Sequence, residues 1–153
     1  MSLPPLPESA IVLGADAATW RDAVTLAGEA LAASGAARPA YAAEMIRMIE
    51  EHGPYVVIAP GLALAHARPG PEVIADGLSV ITLRTPVRFG HPYNDPVTVV
   101  VGLALADADR HLATIAAVAN VFNDTTAIAD LAAAQSVAEV QRVMGIAGVD
   151  SAG

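Results

Sequence analysis

The sequence predicts an α/β domain: a three-layer sandwich with a mixed central β-sheet flanked by helices. Three observations carry the prediction. Two segments of helical periodicity come first, β-branched runs fill the middle, and three helical segments close the chain. The middle runs are apolar almost without interruption, as in strands buried on both faces. Such a sheet needs helices on each side of it. With 153 residues, 54% of them hydrophobic and 16% charged, the chain is read as a single domain over 1–153 with its core at about 9–145.

The elements follow in order. Residues 9–14, "SAIVLG", read as a short strand or an extended lead-in. Asp16 is a candidate N-cap for the helix in "AATWRDAVTLAGEALAASG". Trp20, Val24, Ala27 and Leu31 share one face, and Gly35 stops it. A second helix is predicted to start near Pro39, a favoured first-turn residue. It ends at Gly53, with Tyr41, Met45, Met48 and Ile49 as its buried stripe. "YVVIA", "LSVITL" and "VTVVVGLAL" read as strands. "PGPEV" and "GHPYNDP" read as turns. Helix returns in "DADRHLATIAAVANVFND", with Leu112, Ile115, Val118 and Phe122 on one stripe. Two shorter helices follow, in "TTAIADLAAA" and "SVAEVQRVMG". Ser136 and Glu139 of the latter form a capping-box pattern.

Composition removes several classes of function. The formal net charge is −8, whereas a nucleic-acid partner requires a basic face. Cysteine is absent, so disulfides, thiol nucleophiles and thiolate metal sites are excluded. No apolar run is long enough to span a bilayer. The N-terminus has neither the basic nor the apolar region of a signal peptide. A cytoplasmic protein without direct membrane insertion is expected. All eight basic residues are arginine.

The histidines are His52, His66, His91 and His111. His52 closes the second predicted helix, where a cation interacts well with the helix C-terminus. His66 ends the alternation "LALAH". If 62–66 is extended, it faces the same side as Leu62 and Leu64. Arg68 follows two residues later. His91 lies in the turn "RFGHPYNDP", close to Arg88. His111 falls in the first turn of a predicted helix, where free N–H groups favour a neutral imidazole and attract anions.

These residues allow three chemistries. A three-histidine zinc site is one, but separations of 25 and 20 residues match no short metal signature. General acid–base hydrolysis with His66 as base is another. The third is phosphoryl transfer with a histidine as the phosphorylated nucleophile. It requires an accessible neutral imidazole and donors for the phosphoryl oxygens. Arginine suits the second task, because its planar fork engages two oxygens at once. No P-loop is present, so a nucleotide is not the expected phosphate source.

Three segments in order, "GPYVVIAPGLALAHARP" (53–69), "PVRFGHPYNDPV" (86–97) and "DADRHLATIAAVANVFND" (107–124), resemble the fructose/mannitol-type (type 2) enzyme IIA of the bacterial sugar phosphotransferase system. The first segment most resembles the ascorbate-like branch, and the likeness runs from about Trp20 to residue 143. The resemblance implies a phosphocarrier that takes a phosphoryl group from the phosphohistidine of HPr. It would pass the group to a cysteine of enzyme IIB and so, indirectly, serve the membrane enzyme IIC. His66 matches the phosphorylated histidine, and His111 the histidine that orients the phosphoryl group. Arg68 and His91 match positions typical of the ascorbate-like branch, where a phosphate-facing role is expected. No cofactor and no metal are implied. The alternative within the family is a regulatory relative that controls a partner by its phosphorylation state.

This sequence departs from the family at two positions. Proline usually precedes the active histidine, fixing φ and removing an N–H; here the residue is Ala65. The mannitol branch carries an arginine near the end of the second helix. Met48 falls near that position here, and Arg68 is the candidate to take over its task.

Overall fold

The computed structural model describes residues 3–146. Among the described residues there are five strands: β1 (Ile11–Ala15), β2 (Val57–Ala59), β3 (Leu62–His66), β4 (Gly77–Val87) and β5 (Val97–Ala104). They form a single sheet in the order β1-β4-β5-β3-β2. β1 is parallel to β4, and β3 is parallel to β5. The β4–β5 and β2–β3 pairs are antiparallel, so the sheet is mixed as predicted. Five α-helices cover it: α1 (Trp20–Ala33), α2 (Tyr41–His52), α3 (His111–Val121), α4 (Ala127–Ala133) and α5 (Val137–Val143). Among the described residues, no helix is long and apolar enough to cross a membrane.

Alternation along the strands divides the interior into two cores. Ala63, Ala65, Ile81 and Val100 face α1 and α2, where they meet Val24, Leu31, Tyr41 and Met45. Leu62, Leu64, Val80, Val99 and Val101 face the other way, toward Val118, Leu131 and Val140 of α3, α4 and α5. Each fully buried Val or Leu contributes ~1.5–3 kcal/mol. The loss of alternating polarity in β3, β4 and β5 is therefore what makes a two-sided sheet stable. Glycines let the layers approach. A Cβ at Gly28 would lie 2.5 Å from Ala42 Cβ, which draws α1 onto α2.

The structure differs from the sequence reading at several element ends. The N-cap of α1 is Thr19, whose side chain accepts from Asp22 N–H at 3.2 Å. Asp16 instead forms an exposed ion pair with Arg84 at 3.4 Å. Pro39 precedes the Ala40 N-cap of α2 and lies outside the helix. Only Val57–Ala59 of "YVVIA" is strand, while β4 runs on to Val87. Leu112 is 80% exposed, and Thr114 and Val118 are the residues α3 buries. Residues 3–8 also belong to the fold. Leu6 is buried, its carbonyl accepts from Gln141 Nε2 at 3.0 Å, and Pro5 O accepts from Leu78 N–H at 2.9 Å.

Other expectations match. Gly35 follows α1 with φ +85, a conformation that favours glycine. Ser136 caps α5 by accepting from Glu139 N–H at 3.2 Å, and Glu139 Oε1 accepts from Gln135 N–H at 3.0 Å.

Candidate functional site

β3 ends at His66, which faces Leu103 in the parallel register with β5. α3 begins at His111, soon after β5 ends. The carboxyl ends of two adjacent parallel strands therefore deliver both histidines to one edge of the sheet, the usual location of sites in α/β folds. Their ring centroids lie 5.8 Å apart. Met48, His52, Tyr55, Ala67 and Arg68 complete a pocket of about 200 Å³ around them. It opens beside a larger cleft of about 560 Å³ between α2 and the 67–73 loop, with Met48, His52 and Arg68 on the shared wall.

The His66 ring has a fixed polarity. Its Nδ1 lies 2.9 Å from Leu64 O. A carbonyl can only accept, so Nδ1 carries the proton and Nε2 keeps its lone pair when the ring is neutral. Burial disfavours the imidazolium and lowers the His66 pKa below 6.5. The hydrogen bond to Leu64 pulls upward, and the neighbouring His111 adds a smaller downward push. Tyr55 packs edge-on against His66 with centroids 5.7 Å apart. The outcome at neutral pH is an uncharged imidazole with one unprotonated nitrogen.

His111 is held from behind. Asp107 accepts from Asp109 N–H at 2.8 Å and caps a short 3-10 turn over Ala108–Arg110. Arg110 pairs with Asp76 at 2.7 Å, and Asp76 Oδ1 also accepts from Ala106 N–H at 3.0 Å. Asp76 thus ties the start of α3 to the residue before β4. The His111 Nδ1 atom is buried and has no hydrogen-bond partner among the described residues, which is uncommon for a buried polar atom.

Arg68 is exposed and lines the pocket. Among the described residues no carboxylate lies within ion-pair distance of it. The fold does not bring His91 to this site. β4 and β5 are antiparallel, Val87 pairs with Val97, and the 88–96 loop therefore sits at the opposite end of β5 from Leu103. At ~3.4 Å per residue, the strand from Leu103 back to Val97 spans about 20 Å. His91 there organises its own loop: Nδ1 accepts from Tyr93 N–H at 3.1 Å and from Asn94 N–H at 3.0 Å. Asp95 satisfies the N–H groups of Phe89, Gly90 and His91 in the same loop.

Sequence reasoning missed three contributors. His52 ends α2 as expected but also enters the pocket, edge-on to Tyr55 at 6.3 Å. By sequence, Tyr55 is only the first residue of a strand. Tyr41 belongs to the core by its spacing, and it is 1% exposed. Its hydroxyl nevertheless bonds to the backbone beside His66, accepting from Ala67 N–H at 3.0 Å. A polar-tipped aromatic at a buried helix start was the available signal.

Comparison with known proteins identifies the family and the fold. Residues 5–145 match the family "Phosphoenolpyruvate-dependent sugar phosphotransferase system, EIIA 2". The ascorbate-specific PTS system EIIA component of Shigella boydii serotype 4 is 38% identical over 131 residues, 85% of each chain. A crystal structure described as a PTS IIA domain from Streptococcus pyogenes M1 GAS superposes with a TM-score of 0.80 at 36% identity, covering 89% of both chains. The complex of mannitol enzyme IIA with phosphorylated enzyme IIB from Escherichia coli gives a TM-score of 0.81 at 27% identity, over 92% of this chain and 97% of that one. With the match spanning nearly its whole length and the fold shared, this chain belongs to the type 2 EIIA family of the phosphoenolpyruvate-dependent sugar phosphotransferase system.

Proposed function

We propose that this protein is a phosphohistidine carrier working in the cytoplasm, with His66 Nε2 as its nucleophile. The supporting observation is the His66 ring itself. Nδ1 is committed to Leu64 O at 2.9 Å and burial keeps the ring neutral, so Nε2 is the nitrogen left to attack. In the loading step the phosphorus–nitrogen bond of phosphorylated HPr breaks as a bond from Nε2 to phosphorus forms. The HPr imidazole leaves with the electron pair, and His66 retains its Nδ1 proton. Unloading reverses the roles: a thiolate of enzyme IIB attacks phosphorus and His66 leaves as a neutral imidazole.

Neighbouring groups serve the charge that moves with the phosphoryl group. His111, with its ring 5.8 Å from that of His66, is the candidate to donate to a phosphoryl oxygen. Arg68 supplies a guanidinium on the rim that has no carboxylate partner among the described residues. The ascorbate-specific relatives favour an ascorbate-type enzyme IIB as the acceptor.

The test is transfer of labelled phosphate from phosphoenolpyruvate through enzyme I and HPr. One acid-labile phosphate per chain is expected, on Nε2 by NMR, and an ascorbate-type IIB should discharge it. A His66→Ala protein that still takes up label would overturn the assignment. Phosphate retained in the presence of IIB would point to the regulatory relative instead of a carrier.

A further inference from the structure

The ladder that orders β3 ends with the His66–Leu103 pair. The next residue, Ala67, is buried, and its amide needs an acceptor. That acceptor is Tyr41 Oη, at 3.0 Å. The same hydroxyl donates to Leu103 O at 2.8 Å, with Ala67 O a longer alternative at 3.3 Å. Leu103 is the residue directly across from His66. One hydroxyl therefore ties the residue after the nucleophile to the residue opposite it. It replaces the next rung of the ladder at the point where β3 stops.

Tyr41 can perform both roles only while protonated. Burial raises its pKa to about 12, so the hydroxyl is both donor and acceptor at neutral pH. Its ring is locked in the core between α1, α2 and the sheet. On the other side of His66, Ala65 has none of the φ restriction a proline would impose. The conformation of this strand end must then be fixed by hydrogen bonds.

We propose that Tyr41 is a positioning residue for the phosphoryl-accepting histidine. Its hydroxyl closes the end of β3 onto β5, which holds the His66 ring with Nδ1 on Leu64 O and Nε2 free. The proposal rests on the carrier reading given above. It acts through the tautomer and solvation of His66 and not through contact with phosphate.

Tyr41→Phe in the full chain tests it, because the ring and its packing remain. In nitrogen-15 NMR of the His66 imidazole, the Nδ1–H tautomer should lose its dominance. The His66 pKa should rise toward 6.5 as water reaches the loosened strand end. Phosphoryl acceptance should slow about tenfold, as expected for a misplaced reacting group, with unchanged final stoichiometry. Val140→Ala in the opposite core should lower stability while leaving tautomer and pKa as in the wild type. A Tyr41→Phe protein with wild-type tautomer and pKa overturns the proposal, whatever its stability. If the wild type accepts no phosphate, the carrier reading fails, while tautomer and pKa still judge the clamp. Should Tyr41→Phe not fold, the wild-type Ala67 amide decides: slow hydrogen exchange is expected, and exchange at the rate of an open amide refutes the clamp.

Discussion

Gly102→Ala probes how closely the sheet beneath His66 is packed. Gly102 pairs with Ala65, next to His66, on one side and with Ser79 on the other. A Cβ built at Gly102 would overlap Ser79 Oγ and lie 3.3 Å from Ala27 Cβ. Ser79 is fully buried and donates to Ala27 O at 2.9 Å. It cannot swing aside without giving up that bond. Overpacking costs ~1–3 kcal/mol, and the displaced hydroxyl adds ~1 kcal/mol. Replacing a strand glycine returns ~0.5–1 kcal/mol of backbone entropy. The net loss is roughly 2 kcal/mol, which for a chain of this size lowers Tm by about 4–8 °C. Removing the obstructing oxygen with Ser79→Ala should by itself cost only ~1 kcal/mol. The double variant should be no less stable than Ser79→Ala, giving a favourable coupling of roughly 2 kcal/mol. Urea unfolding of the four proteins measures this cycle, and transfer from phosphorylated HPr should slow in Gly102→Ala and recover in the double variant. Two losses that add within ~0.5 kcal/mol would refute the steric account.

Two further predictions concern the histidines. His66 has its folded pKa lowered by burial. Phosphoryl acceptance should therefore hold as pH falls through 6.5 and decline only below it. The unfolded chain takes up its proton near 6.5 and the folded one later, so unfolding free energy should fall as pH drops from 6.5 through the folded pKa. An NMR titration placing His66 at or above 6.5 would contradict this. Asp76 anchors the start of α3 through Arg110 and Ala106. Asp76→Ala should slow transfer by no more than His111→Ala does, and the two should not add, because both act through one imidazole. Additive rate losses would show that Asp76 acts elsewhere.

Most of the architecture could be read from local pattern. The buried strands announced themselves by apolar runs with no polar alternation, and α1 and α2 by their spacing. Errors arose where neighbouring residues offer equal local chemistry. Asp16 and Thr19 are both good caps, and only the path of the chain puts Thr19 Oγ1 on Asp22 N–H. Leu112 has the right spacing for a stripe, but α3 starts at the rim of the pocket, and its buried face runs through Thr114 and Val118. The site divided in the same way. His66 and Arg68 share one segment and could be read together, and His111, whose role the family resemblance implies, lines the same pocket. His91 carries equal chemical promise, yet antiparallel pairing of β4 and β5 turns its loop to the far end. His52 and Tyr55 enter only because α2 ends, and β2 starts, near the terminus of β3, while Tyr41 at the start of α2 reaches the backbone of Ala67 and Leu103. That is a long-range consequence of sheet order, invisible to periodicity.

On the carrier reading proposed above, the charge around the site has to accommodate a phosphoryl group in a protein of net charge −8. Glu44 and Glu51 stand in the cleft next to the pocket and would repel it. Both are engaged by Arg47, at 2.7 Å and 2.6 Å. These ion pairs are exposed, and pairs of that kind contribute little to stability. Their consequence is electrostatic: one guanidinium offsets part of the charge of two carboxylates, while among the described residues no carboxylate lies within ion-pair distance of Arg68. Arg110 near His111 is committed to Asp76 and Asp107, so it positions the helix and adds little positive field. The pocket is thus left with Arg68 and three histidines, His52, His66 and His111. A fully cationic cluster would bind the phosphoryl group too firmly to release it. A carrier must bind in loading and let go in unloading, and under the proposed function a neutral His66 beside Arg68 suits both demands.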